Sequence, residues 1–371
     1  MCSPKLEVGP EQLRTLFFRH VVLPVLHQLA WGVALAYIPE VVAYEPHPLL
    51  RNAHLMTFLA AFWPRRLARL PWSTERLFEV EPGTRLLARC HWQRDPQRHP
   101  ALVLVHGLEG SSESRYMLGI AELAFVAGFS VLRLNQRNCG GTEHLTPTVY
   151  NSGLSGDYRA ILDELLQRDA VPEVFFAGYS MGGNLVLKMA GELGEAAPPQ
   201  LRGVCAVCPS LDLAACADTI ALPRNFPYER HFMHSLKQRL RRKALLFPGQ
   251  YPLDGLQRLH TLRQWDDAIT APRSGYRDAD DYYHRASALR VIAQVRLPTL
   301  ILAAQDDPLV PFELFLDPAI AANPCITLLA PPFGGHCGFI SRAGGDERFW
   351  AEARLVEFCR ERSKVGSAPE P

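Results

Sequence analysis

Residues 174–184, VFFAGYSMGGN, constrain this chain more than any other stretch. Val174, Phe175 and Phe176 suit a buried strand, and the Gly178-Tyr179-Ser180-Met181-Gly182 that follows must end it. A Gly-x-Ser-x-Gly pentapeptide fits a tight strand-to-helix turn, in which side chains at the two outer positions would crowd their neighbours. Such a turn lifts the Ser180 hydroxyl above the end of a sheet. Residues 184–192 are rich in Leu, Val, Ala and Met and continue as a helix that starts at the serine. The unpaired N–H groups and positive dipole end of that helix then lie where negative charge would develop. Taken alone, the pentapeptide also reads as a glycine-rich turn with a solvated serine, so its meaning depends on context.

The context is an alternation of strands and helices. Residues 76–92 read as two short strands about the Pro82-Gly83 turn. Residues 101–105 are a continuous apolar run, the mark of a central parallel strand, and end in HGLEG. A helix near 114–127, a strand at 130–134 ending in NQRNCGG, a helix at 154–168, the strand before Ser180 with its helix, and a strand at 203–207 follow. Right-handed crossovers turn that order into an α/β fold, a doubly wound, mostly parallel sheet. Ligands of such sheets bind outside the carboxyl ends of the strands, where HGLEG, NQRNCGG and Ser180 all fall. The alternation stops between 211 and 295 and resumes with LPTLILAAQDDPLVP, so about 85 residues form a helical cap inserted into one sheet. Strands at 298–304 and 325–329 and an amphipathic helix at 346–362 close the fold. The expected organisation is an N-terminal apolar helical extension and covering segment (1–72), of which 44–71 read as irregular, a first core part (73–210), the cap (211–295), a second core part (296–362) and a disordered polar tail (363–371).

Residues 21–42 are long enough to span a bilayer, but His27, Gln28, Glu40 and two prolines offset the apolar residues, which favours a buried or membrane-surface helix pair. The stretch lies too far inside the chain, behind charges of both signs, for an ordinary secretory signal. Nine scattered cysteines, an odd number, favour reduced thiols in a cytoplasm over a disulfide framework. Cys205 and Cys208 form a CxxC without a second pair and read as small core residues of a strand. A net charge of +1 exerts no pull toward nucleic acid. There is no P-loop, dinucleotide fingerprint or metal-ligand cluster, so no cofactor and no metal are expected.

A serine hydroxyl needs a base to take its proton and a third group to orient that base. Of thirteen histidines, His336 sits in a glycine-flanked loop, FGGHCGF, just after a late strand, where missing side chains let an imidazole reach across the sheet. His106 is the rival, at a strand end beside HGLEG. For the acid, Asp307 in QDDPLVP is favoured over the adjacent Asp306, which reads as a loop-capping carboxylate, with Asp212 as a third candidate. Backbone N–H groups of Met181 and of Leu108 would form an oxyanion hole. The chain order Ser180, Asp307, His336 is that of α/β-hydrolases.

HGLEGSSESRYM, the NQRNCGG loop, GYSMGGN, QWDDAITAPRSGYRDADDYYHRAS, QDDPLVP and GGHCGF together resemble the hydrolase group of bacterial YheT-like proteins, plant embryogenesis-associated hydrolases and animal abhydrolase-domain phospholipases. The resemblance spans about 45–360. It implies an α/β-hydrolase fold with esterase or lipase activity and puts Ser180, Asp307 and His336 at the triad positions. Members commonly carry Arg-Gly in the loop where this chain has Gln136 to Gly141, which leaves open any role of that loop in the pocket.

The function expected is hydrolysis of a short- to medium-chain carboxylic ester or lipid through an acyl-enzyme. Acyl transfer to an alcohol and a non-catalytic lipid-binding role are the alternatives. Residues 229–246 place Phe232, Met233, Leu236 and Leu240 on one side of a cap helix and basic residues elsewhere. This reads as a core-facing helix with a solvated basic face, the alternative being a helix that lies on anionic lipid. Asp266, Asp267 and residues 276–284 read as a hydrogen-bonding network of the cap.

Overall fold

The computed structural model describes residues 43–65, 67–251 and 253–365. The apolar stretch 21–42 and most of the polar tail lie outside them. Among the described residues, no helix is long and apolar enough to cross a membrane.

The chain enters through helix α1 (Ala53–Phe62), whose first turn is capped by Asn52 accepting from the Leu55 amide. An antiparallel hairpin follows, β1 (Thr74–Glu81) and β2 (Thr84–His91), reversing at Gly83 with φ 75°. Then come β3 (Ala101–Val105), α2 (Arg115–Val126), β4 (Ser130–Leu134), α3 (Ser155–Gln167), β5 (Val174–Tyr179), α4 (Met181–Leu193) and β6 (Leu201–Val207). The insertion between β6 and β7 carries α5 (Leu213–Ile220), the long α6 (Phe226–Leu246), α7 (Leu262–Trp265), α8 (Ala271–Arg273) and α9 (Ala279–Ala286). The fold closes with β7 (Thr299–Leu302), α10 (Pro318–Ala321), β8 (Ile326–Leu329) and α11 (Trp350–Arg362).

The eight strands form one sheet in the order β1-β2-β4-β3-β5-β6-β7-β8, parallel from β4 onward, with the hairpin antiparallel at one edge. The β3, β4 and β5 side chains are buried throughout, as expected of strands covered on both faces. Connections run to one side of β3 and to the other side of β5, so the crevice at which the strand order reverses opens between their carboxyl ends. This is the mostly parallel sheet with an inserted helical region that the alternation predicts.

One expectation is corrected. Residues 44–71 are not wholly irregular: α1 packs Met56, fully buried, with Leu50 and Ile340 in a small core of its own. All eight described cysteines are free, and Cys205 and Cys208 are buried at the end of β6.

Asn184, in the first turns of α4, ties the insertion to the sheet. Its side-chain amide donates to the carbonyls of Ser152 (3.1 Å) and Ala286 (2.9 Å), and its oxygen accepts from the Ala288 amide (2.7 Å). All of this is out of contact with water. Truncation would strand three buried polar groups at once. Asn184→Ala is therefore expected to lower the unfolding free energy by about 2–4 kcal/mol, read as a lower urea midpoint at unchanged m-value.

Candidate active site

The turn after β5 is as tight as the pentapeptide requires. Ser180 has φ 52° and ψ −117°, a conformation rare for a residue with a side chain and found where surrounding structure imposes it. Backbone crowding imposes it here. A Cβ on Gly178 would meet the Gly182 carbonyl oxygen at 2.1 Å, and one on Gly182 would meet the Val105 oxygen at 2.4 Å. Tyr179, between them, stacks on Tyr116 with ring centres 4.4 Å apart.

The structure brings Ser180, His336 and Asp307 together from three separate strand ends. Ser180 Oγ lies 2.9 Å from His336 Nε2, and His336 Nδ1 lies 2.8 Å from Asp307 Oδ2. The other oxygen of Asp307 accepts from the Leu309 and Val310 amides at 2.8 and 3.0 Å, which fixes the carboxylate. Burial disfavours the imidazolium, but the Asp307 carboxylate and the neighbouring Cys337 outweigh it and hold the His336 pKa well above the ordinary imidazole value.

The rival residues are occupied elsewhere. His106 is fully buried, its Nε2 accepting from the Gln136 amide at 3.1 Å while Nδ1–H donates to the Gly107 carbonyl at 2.8 Å. Burial lowers its pKa to about 4, so it is a neutral structural imidazole. Asp306 accepts from the Gly335 amide at 2.8 Å and so caps the histidine loop. Asp212 caps α5 and pairs with Arg290 at 3.2 Å.

Leu108 and Met181 line the same cavity as Ser180 and His336. Met181 opens α4, so its N–H has no intrahelical acceptor. Leu108 sits in the turn closed by the Gly110 amide on the Gly107 carbonyl (3.1 Å), and the Gly107 amide donates to Tyr116 Oη (2.9 Å).

Two contributors escape the sequence reading. The first is Thr57 of α1, whose hydroxyl accepts from the His336 amide at 2.8 Å and donates to the Ala53 carbonyl at 2.7 Å. Gly335, at φ 56°, lies so close to α1 that a Cβ there would meet the Ala53 oxygen at 2.6 Å. Thus α1 is the platform of the histidine loop. Asn52 followed by a run of Ala, Leu, Met and Phe was the available signal. The second is the inner face of α6. Of the four apolar residues expected on its inner side, Phe232, Leu236 and Leu240 line the cavity and Met233 is buried outside its lining, but Arg239 and Lys243 line it too and are buried rather than solvated. Positions 232, 236, 239, 240 and 243 recur at helical spacing, so the two cations share the apolar stripe.

The NQRNCGG loop divides its work. Arg137 is buried and braces the structure, its guanidinium held by both Asp157 oxygens (2.8 and 2.5 Å) and by Glu81 (2.6 Å), while Asn138 lines the cavity. The cap network expected around Asp266 and Asp267 is present. Tyr283 donates to Asp266 at 2.8 Å, and the Ala279 amide donates to Asp267 at 2.7 Å. Folding also assembles a cluster that the sequence reading did not foresee. Cys208, His336 and Cys337 bring ligand-type atoms within 4.8 Å of one another, although both imidazole nitrogens already face Ser180 and Asp307.

Comparison with known proteins agrees with this architecture. Residues 100–343 match the family model described as the alpha/beta hydrolase fold. The YheT protein of Escherichia coli (strain K12), which bears an esterase name, is 30% identical over 312 residues, covering 83% of this chain and 90% of that protein. The monoacylglycerol lipase of Saccharomyces cerevisiae is 29% identical over 270 residues, 70% of this chain and 59% of the lipase. Among solved structures, an esterase of Pyrococcus furiosus superposes with a TM-score of 0.55 at 15% identity, covering 82% of this chain and 97% of the esterase, a likeness of fold. The sheet order, the turn at Ser180 and the span of the family match together establish that the chain belongs to the α/β-hydrolase family.

Proposed function

We propose that the protein is a serine hydrolase of carboxylic esters, of esterase or lipase type, working through an acyl-enzyme. The observation that carries this reading is the unbroken relay from Ser180 Oγ through both nitrogens of His336 to Asp307, at 2.9 and 2.8 Å, at the floor of a mainly apolar cavity. The ester and lipid names of the relatives agree with it.

In this reading Nδ1 of His336 keeps its proton and donates it in a hydrogen bond to Asp307, leaving Nε2 free as the base. Ser180 Oγ attacks the ester carbonyl carbon as its proton passes to Nε2. The carbonyl oxygen, now negative, accepts from the backbone amides of Met181 and Leu108, residues that line the cavity with Ser180. The imidazolium then protonates the departing alcohol, and a water activated by the same nitrogen releases the acid. Leu213, Ile220, Leu240 and Val310 offer the acyl chain apolar walls, which suits short- to medium-chain esters or lipids.

Ser180→Ala is expected to lower kcat on p-nitrophenyl esters by about 10⁴ or more with an unchanged melting profile, and turnover at the wild-type rate would sink the assignment. The neutral imidazole is the working form, and its pKa is raised. The rate should therefore climb with pH along a limb displaced above the ordinary histidine range, being lost as pH falls through that value. Asp307→Asn removes the main raising charge, so the limb should move to lower pH while kcat drops by about 10⁴. A pH–rate profile that keeps its midpoint in this variant would remove Asp307 from the relay.

Thr57→Val keeps the shape of α1 but deletes the acceptor for the His336 amide. As a positioning change it should lower kcat about tenfold with little change in KM, since misplacing a reacting group costs rate rather than binding. Equal proportional losses in a stability assay and in KM would instead mark Thr57 as a packing residue only.

A further inference from the structure

The wall of the cavity that holds Ser180 also carries a cation that no carboxylate pairs directly among the described residues. Two basic residues of α6 line it, and they differ in one respect. Arg239 is neutralised: its guanidinium donates to Glu109 Oε2 at 2.9 Å and sits over the Tyr150 ring, 4.6 Å from its centre. Lys243 has no carboxylate within ion-pair distance among the described residues. Its ammonium donates to Asn138 Oδ1 and to the Thr146 carbonyl, both at 2.6 Å, and lies 4.7 and 5.2 Å from the Phe247 and Tyr251 ring centres. Glu143, whose charge acts on it, is held by Arg242 at 2.6 Å.

An ammonium has three donors, and two neutral oxygens use two of them. Removing such a charge from water is costly unless an opposite charge meets it. Lys243 is 1% exposed, and burial lowers its pKa to about 8, so it still carries its proton at neutral pH. A crossbrace between Asn138 and Thr146 would be served by an uncharged donor. The rest of the wall is mostly apolar, with Asn151, Ser152, Asp266 and Thr270 among the polar exceptions, and Leu236 and Leu240 lie between Phe232 and Lys243 on the same helix face, about 16 Å from one end of that stripe to the other at 1.5 Å per residue.

We propose that Lys243 is a specificity-determining residue that pairs with an anionic oxygen group, a carboxylate or phosphate, carried by the ester substrate. Resting on the serine-hydrolase reading, this assigns the substrate class as esters with an apolar middle and a negatively charged end. The anion could belong to the acyl side or to the alcohol side, and both offer the same oxygens to the ammonium.

Two substrate pairs separate them: p-nitrophenyl hydrogen suberate against p-nitrophenyl octanoate, and a 1-acylglycerol-3-phosphate against the matching 1-monoacylglycerol. In one pair, the wild-type protein should favour the anionic member in kcat/KM by about tenfold or more, as expected for a hydrogen bond to a charged group. Lys243→Met should collapse that ratio toward one, and Lys243→Arg should keep part of it. A wild-type ratio near one in both pairs, or a ratio that survives in Lys243→Met, overturns the proposal. Calorimetric binding of monomethyl suberate to the Ser180→Ala protein, with and without Lys243→Met, reads the same contact without turnover. Binding that depends on Lys243 in a protein with no esterase activity would sink the hydrolysis reading alone, whereas binding indifferent to Lys243 would sink this one.

Discussion

The close approach of two backbones at the carboxyl ends of β3 and β5 is the constraint on which the rest of the site depends. Gly182 lies against the carbonyls of Val105 and His106 with no room for a Cβ, and Gly178 lies as close to Gly182. This contact, together with the Ser180 amide donating to the Val207 carbonyl at 2.9 Å, holds Ser180 at a positive φ, and the energy for that strain comes from the buried strands on either side. The same contact sets where α4 begins, and thereby where its free amides point. His106 completes the junction from below, neutral and bonded on both ring nitrogens, which explains why a histidine so near the serine plays no part in the relay.

The relay itself is assembled from the ends of β5, β7 and β8, and hydrogen bonds between backbone amides and side chains hold Asp307 and His336. Asp307 is clamped by two amides of its own loop, and Asp306 holds the glycine before His336. The histidine loop needs more than its own glycines, because Cys337 and Phe339 both adopt positive φ. That support comes from α1, more than 270 residues away in sequence, through the Thr57 hydroxyl and the Met56 side chain. A segment that looks like an irregular cover is thus part of the site's foundation.

The helical insertion does two jobs with one helix. The stripe of α6 that faces inward is apolar enough to close the cavity over Ser180, yet it delivers Arg239 and Lys243 into the same space. Arg239 finds Glu109, the residue next to Leu108, so the loop that carries a proposed oxyanion donor is braced by the cap. Asn184 reinforces that link from the other side of the turn.

Much of this was legible in the sequence because it is local. Residues 101–105 and 130–134 are strands over those bounds, since an unbroken apolar run between polar loops leaves a buried parallel strand little freedom. The Gly-x-Ser-x-Gly turn, the glycine-flanked His336 and Asp307 ahead of Pro308 are likewise short-range patterns whose geometry their own residue types dictate. What the sequence left open depends on which segments meet. Asp307 is favoured over the adjacent Asp306 by its place ahead of Pro308, but that Asp306 instead holds the Gly335 amide depends on where the histidine loop lands. Thr57 is an ordinary helical residue until the loop of His336 lands on it, and Arg239 and Lys243 are ordinary basic residues until the rotation of α6 turns them inward. The chain alone determined the elbow, the sheet and the order of the relay, because these follow from local propensity. The tertiary structure decided which support and which buried charge complete the site, because those choices rest on contacts between residues far apart in sequence.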